Sequence, residues 1–131
     1  GTGNKVEDYG IGFYTKYGDG GVDIAPIADL YKTEVWELGR HLGVDPRIIA
    51  AAPTDGLWED SRTDEEQVGA SYEDLEWVME SDIFRNAKHP ESVTKWMGKE
   101  LTEQQQSAIK QYGKFHRQNK HKMISIPTFK L

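Results

Sequence analysis

Gly1-Thr2-Gly3-Asn4-Lys5-Val6-Glu7, followed by Thr15-Lys16-Tyr17-Gly18-Asp19-Gly20-Gly21-Val22-Asp23, decides how this chain is read. Small residues that let a ligand approach the backbone alternate there with Lys, Glu and Asp. That is the pattern expected of a loop that handles a phosphorylated ligand and a metal. Gly18-Asp19-Gly20-Gly21 cannot enter a regular helix without a large propensity penalty, and Asp-Gly marks a tight turn. The chain opens inside this pattern, with no initiator Met and no run-in strand, so it is expected to be the back part of a larger protein.

Working outward, residues 5–12 offer a short helix after the Gly-Thr-Gly turn. Val22 to Ile27 is the only good strand candidate in the first half, and Pro26 makes it short or places it at an edge. Such a strand needs neighbours for its backbone groups, and the chain offers almost none. Asp29 reads as an N-cap for a helix whose apolar stripe is Tyr31, Val35, Leu38 and Leu42, stopped by Gly43. Pro46 starts a short helical turn that Pro53 closes. Thr63 with Glu66 makes a capping box for a helix ending near Gly69. Ser71 with Asp74 starts another, with Leu75, Val78 and Met79 on its buried side. Pro90 opens a helix holding Val93, Trp96 and Met97. Thr102 with Gln105 caps the last helix, which carries Ile109, Tyr112 and Phe115, before an extended tail from Met123 to Pro127.

The 131 residues suffice for one modest domain. Hydrophobic content of 37% and charged content of 29% point to a soluble globular chain rather than a membrane protein. With no Cys there is no disulfide framework and no thiolate metal site, which fits a cytoplasmic protein. The net charge of −6 argues against a nucleic-acid surface. The charge is uneven: residues 55–82 are acidic apart from Arg62, and residues 85–122 are mostly basic. Solvated helical faces explain this plainly. The sharper alternative is a basic tail facing an anionic ligand or a partner's acidic stretch.

Several side chains carry candidate chemistry. Gly1-Thr2 can bring an N–H and a hydroxyl close to a ligand. Glu7 lies about one helical turn further on and is a candidate Mg²⁺ ligand, since Mg²⁺ takes one or two carboxylates and leaves positions for phosphate oxygens. Lys16 and Asp23 flank the glycine-rich turn, and Lys16 is a compact cation suited to phosphate or carboxylate. Asp19 sits at the tip. It is either a turn former bonding its own backbone or an acceptor for ammonium. Lys32 falls in a helix's first turn, where a cation is disfavoured unless a phosphate binds beside it. Thr54 follows Pro53 in a loop, as a turn residue or a phosphate contact. His121-Lys122 ends the basic segment.

Together these residues resemble the ammonia-using NAD synthetase family. The likeness runs through Gly-Thr-x-Asn-Lys-x-Glu, Thr-Lys-Tyr-Gly-Asp-Gly-Gly-x-Asp, Pro-Ile-x-Asp-Leu-x-Lys-Thr, Ala-Pro-Thr and Asp-Glu-x-x-x-Gly-x-x-Tyr to about Tyr72, and resumes at His121-Lys122. It implies an α/β parent fold, a Rossmann-like adenine nucleotide alpha hydrolase of the N-type ATP pyrophosphatase group, of which residues 1–131 form a mostly helical C-terminal part. It implies adenylylation of deamido-NAD by ATP, then displacement of AMP by ammonia. Thr2, Lys32 and Thr54 then correspond to ATP contacts, Glu7 to a Mg²⁺ ligand, and Lys16, Asp23, His121 and Lys122 to deamido-NAD contacts. Asp19 corresponds to the aspartate that receives ammonia. The resemblance also implies a homodimer whose dinucleotide site is built partly across the subunit boundary, and Trp36, Trp58, Trp77 and Trp96 are candidate interface or core aromatics.

The family's Ser-Gly-Gly-x-Asp-Ser pyrophosphate loop does not occur in these residues. The expectation is therefore a piece inactive by itself. A natural non-catalytic nucleotide-binding or partner module is the alternative. Another ATP pyrophosphatase, of the GMP-synthetase type, shares the chemistry but leaves Thr15 to Asp23 unexplained.

Overall fold

The computed structural model describes residues 1–57, 59–81 and 100–130. Helices account for the regular structure among these residues, and no strand forms. In chain order they are α1, a π-helical turn at Val6–Ile11; α2, Lys32–His41; α3, Pro46–Ile49; α4, Asp64–Val68; α5, Tyr72–Glu80; α6, Glu103–Asn119; and a closing 3₁₀ turn at Lys120–Lys122.

Local chemistry explains most of the boundaries. Asn4 starts α1, its Oδ1 accepting from the N–H groups of Val6 at 3.1 Å and Glu7 at 3.2 Å. Thr63 and Glu66 close their capping box around the start of α4. Gly69 ends that helix with φ +80°, a left-handed backbone that glycine adopts without a Cβ clash. Ser71 caps α5 through the Asp74 N–H, and Thr102 caps α6 through the Gln105 N–H. Pro46 occupies the first position of α3, where its missing N–H leaves no bond unmade.

The core lies where α1, α5 and α6 meet. Val6 and Ile11 from α1, Leu75 and Val78 from α5, and Ala108, Ile109 and Tyr112 from α6 are buried together, with Val68 of α4 and Leu101 alongside. Phe13 and Phe115 close one side edge to face, ring centroids 6.3 Å apart. Each fully buried aliphatic side chain here contributes about 2 kcal/mol by leaving water.

Two expectations need correcting. Residues 22–27 form no strand. Val22 and Ile24 are exposed, and the described residues supply no ladder for their backbone groups. The helix expected to start at Asp29 starts at Lys32 instead. Residues 26–30 form turns, and Glu34 accepts from the Tyr31 N–H at 2.7 Å, which makes Tyr31 the first cap. Along the apolar stripe of α2, Tyr31 packs against the core while Leu42 is 69% exposed. Apolar periodicity shows that a helix has a sticky side, not that this part of the chain covers it. The helix expected after Pro90, with Trp96, lies outside the described residues, as does Trp58. Trp36 stacks edge-on to Tyr72 at 6.1 Å, and Trp77 packs against the core.

Gly12 is a tight joint against the end of α6. Its φ is +64°, and a Cβ there would meet the Asn119 Cβ at 2.6 Å. Gly12→Ala is therefore expected to destabilise by about 2 kcal/mol, from a left-handed backbone plus displacement of the end of α6. A urea midpoint matching the parent chain would contradict this.

Candidate functional site

Four side chains from four places in the sequence meet at one edge of the core. Glu7 comes from α1, Lys32 from the first turn of α2, Asp64 from the first turn of α4 and Tyr72 from the first turn of α5. The Tyr72 hydroxyl donates to Glu7 Oε1 and lies 3.5 Å from Asp64 Oδ2. Lys32 Nζ is 3.6 Å from the same Glu7 oxygen and 5.3 Å from the Tyr72 ring centroid. Both charged groups of that pair are mostly shielded from solvent, at 20% and 15% exposure. Helix caps put them there: Asn4 orients α1, the Thr63 box starts α4 at Asp64, and Glu65 accepts from the Tyr72 N–H at 2.8 Å.

The electrostatics follow from burial. Desolvation, then the Glu7 carboxylate, pushes the Tyr72 phenol far above its ordinary range, so it remains a proton donor at any working pH. Desolvation and the Glu7 charge likewise raise the Asp64 carboxyl, with Lys32 opposing them. Asp64 Oδ1 is buried without a hydrogen-bond partner, beside a water-sized void lined by Ile11, Phe13, Val68 and Leu75. Two carboxylates, Glu7 and Asp64, that converge on one tyrosine hydroxyl beside a lysine suit a hard cation. No group of three or more metal-ligating side chains exists among the described residues. A Mg²⁺ ion that takes its other ligands from phosphate and water needs fewer. The residues present therefore fit such an ion.

A second feature is an open cleft of about 450 Å³ lined by Phe13, Tyr14, Thr15, Asp19, Asp55, Leu57 and Lys122. Asp19 is exposed at its turn, and its Oδ1 accepts from the Thr15 N–H at 2.7 Å. Lys122 Nζ donates to the carbonyls of Gly12 at 3.0 Å and Tyr14 at 2.7 Å. Burial holds the Lys122 ammonium below its ordinary value, and Asp19 opposes that shift.

The remaining expected site residues fall as follows. Lys16 Nζ donates to the backbone of His121 and Ile124, which brings Lys16 and His121 together. Thr54 holds its own loop: its hydroxyl donates to Arg62 O and accepts from the Gly56 N–H, both at 3.2 Å. Thr2 and Asp23 are exposed at the amino-terminal edge, where the Gly1 amine donates to Ile24 O at 2.7 Å. The geometry thus joins Glu7 with Lys32, Asp19 with Lys122, and Lys16 with His121. It draws neither Thr2 nor Thr54 into a shared contact with them.

Sequence reasoning missed Tyr72 and Asp64. Both stand in the Asp-Glu-x-x-x-Gly-x-x-Tyr stretch, which was read only for its caps and its resemblance. It also missed Glu76, a buried carboxylate on α5 that accepts from the Thr33 N–H at 3.1 Å and its hydroxyl at 2.7 Å, tying the start of α2 to the core. Burial raises the Glu76 carboxyl despite those two bonds. Between its ordinary value of 4.5 and its raised folded value, the folded chain binds a proton that the unfolded chain releases. This group therefore adds stability as pH falls through that window and withdraws it as pH rises. Melting temperatures of parent and Glu76→Gln, measured against pH, are expected to diverge there in the parent's favour. Parallel curves would refute the assignment.

The family model described as NAD synthase matches residues 1–125. An NH(3)-dependent NAD(+) synthetase of Methanosarcina acetivorans is 41% identical over 128 residues, covering 98% of this chain and 46% of that protein. The protein of the same name from Sulfurisphaera tokodaii is 36% identical over 131 residues, covering 100% of this chain and 44% of its own length. Among solved structures, the NMN synthetase from Francisella tularensis superimposes with a TM-score of 0.70 at 30% identity, over 98% of this chain and 44% of that one. The chain thus spans less than half the length of each of these relatives.

Proposed function

The chain belongs to the NAD synthase family, and from that premise we propose that it forms one part of an enzyme that amidates deamido-NAD to NAD, with ATP as co-substrate and ammonia as nitrogen donor. The cluster of Glu7, Lys32, Asp64 and Tyr72 carries this reading, because it gathers a cation, two carboxylates and a fixed donor where a nucleotide phosphate would need them. Residues 1–131 serve as a single C-terminal portion of an adenine nucleotide alpha hydrolase-like fold, whose sheet and pyrophosphate loop lie elsewhere in the complete enzyme.

In this proposal Glu7, with Asp64 across the Tyr72 hydroxyl from it, would hold Mg²⁺. The ion when bound neutralises charge on phosphate oxygens. Lys32, at the amino end of the ten-residue α2, adds its own charge to the positive end of the helix dipole, and Thr2 and Thr54 complete the ATP contacts. Tyr72 keeps the Glu7 carboxylate oriented. Lys16, Asp23, His121 and Lys122 hold deamido-NAD, placing its nicotinate carboxylate within reach of the α-phosphorus. A carboxylate oxygen bonds to that phosphorus and pyrophosphate leaves. Ammonium gives a proton to Asp19, ammonia attacks the acyl carbon, the C–O bond to AMP breaks, and the new nitrogen releases one further proton to solvent as the amide forms. A homodimer completes the dinucleotide site, and the enzyme is cytoplasmic.

The test is NAD formation from deamido-NAD, ATP and ammonium. The isolated 131-residue chain is expected to give none, and supplying the rest of a relative's length, fused or in trans, is expected to restore it. Turnover by the isolated chain would sink the claim of incompleteness. A completed enzyme inactive on every acid offered would favour a non-catalytic module. The structural likeness to an NMN synthetase makes the mononucleotide acid the competing acceptor to include. Its preferential use would overturn the substrate assignment.

A further inference from the structure

We propose that Lys16 and Lys122 close a reciprocal clasp, each ammonium holding backbone carbonyls of the other's segment, and that this clasp positions the turn bearing Asp19. The functional meaning of that position rests on the reading of Asp19 given above. Lys16 reaches from the glycine-rich segment to the carbonyls of His121 at 2.9 Å and Ile124 at 2.6 Å. Lys122 reaches back to the carbonyls of Gly12 and Tyr14. Two further side chains extend the same seam. Asn119 Nδ2 donates to Ile11 O at 3.0 Å. His116 Nδ1 lies 2.7 Å from Gly10 O, a contact that is a hydrogen bond only with the proton on Nδ1. The carbonyls of residues 10, 11, 12 and 14 are thus each met by a side chain from residues 116–122.

The seam matters because nothing apolar replaces it. No residue from 13 to 27 is buried. Apart from the partly buried Phe13, the segment has no place in the core; the Gly1 amine holds its far end at Ile24, and within the turn the described bonds run from Thr15 to Asp19, Gly18 and Gly20. Those bonds shape the turn but do not locate it. The links to residues 116–124 do, and they bring Lys122 into the cleft that Asp19 also lines. A lysine ammonium has three donors. Lys122 spends two on carbonyls, so one remains for the cleft, and a single side chain can both fix the turn and face a ligand.

The experiment is amide hydrogen exchange on the ligand-free 131-residue chain, which leaves it independent of whether deamido-NAD is the substrate. Lys16→Met and Lys122→Met are each expected to speed exchange at residues 14–21 by about tenfold or more, with α5 and α6 unchanged. The double variant should add little to either single one, because opening one half of a ring frees the other. Lys16→Arg and Lys122→Arg, which retain charged donors, should keep most of the protection. Single variants within about twofold of the parent, or effects that multiply in the double variant, would overturn the clasp. If Lys122→Met loosens the whole chain, Lys16→Met alone decides, since its bonds lie at the exposed end of the seam. Unchanged exchange in that variant would defeat the proposal.

Discussion

Glu7→Gln is expected to reduce NAD formation by the completed enzyme about 10²–10³-fold, the range seen when one preorganised electrostatic contact is lost from an active site. The substitution is nearly isosteric, and its amide oxygen can still accept from Tyr72. It removes the charge that Lys32 faces at 3.6 Å and one of the two carboxylates that meet the Tyr72 hydroxyl. Binding of Mn²⁺ as a probe for Mg²⁺, followed by electron paramagnetic resonance, should weaken in parallel. Stability should move less, because the amide keeps the acceptor for the Tyr72 hydroxyl and the Lys32 ammonium, at 3.6 Å, makes no close hydrogen bond to Glu7. Loss of activity in a chain that still melts normally would therefore report chemistry rather than unfolding. Activity within a few fold of the parent would remove Glu7 from the site.

The largest effect on folding is expected from Leu75→Ala. Leu75 is 2% exposed, sits on α5 against α1 and α6, and belongs to the one core cluster among the described residues. Truncating a buried leucine costs about 2–5 kcal/mol, depending on how far the cavity collapses. Collapse is poor here. Leu75 already lines a void shared with Ile11, Val68 and the carboxylate of Asp64, and three helices fix its walls. Against a total stability of about 5–15 kcal/mol, such a loss is large. Urea unfolding followed by tryptophan fluorescence measures it. Leu57→Ala is the control: Leu57 is 79% exposed and should shift the midpoint by no more than about 0.5 kcal/mol. Equal shifts for the two variants would contradict the assigned core.

Particular elements show why some features were legible in sequence and others were not. The boxes Thr63 to Glu66 and Thr102 to Gln105 are local, since a side chain bonds an N–H three residues away, and both appear as read. The inward faces of α5 and α6 were legible because Leu75 and Val78, and Ile109 and Tyr112, repeat at helical spacing and find one another. The same spacing marks the stripe of α2, whose Tyr31 end packs on the core while Leu38 and Leu42 remain exposed. Val22 to Ile27 has strand-like composition, but a strand exists only as a pair. Asp29 was a plausible cap displaced by Glu34, whose carboxylate takes the Tyr31 N–H.

The sequence by itself determined the family, the caps, the turns and the residue types at the candidate site, because motifs and capping bonds act over a few neighbouring positions. Only the tertiary structure decided that Tyr72 bridges Glu7 and Asp64, that Glu76 anchors α2, that Lys16 holds the carbonyls of His121 and Ile124, and that Lys122 holds those of Gly12 and Tyr14. These contacts join residues 8 to 110 positions apart. No local pattern encodes such pairs. They arise when burial of the core brings distant polar groups together and leaves each one to find a partner or remain unpaired.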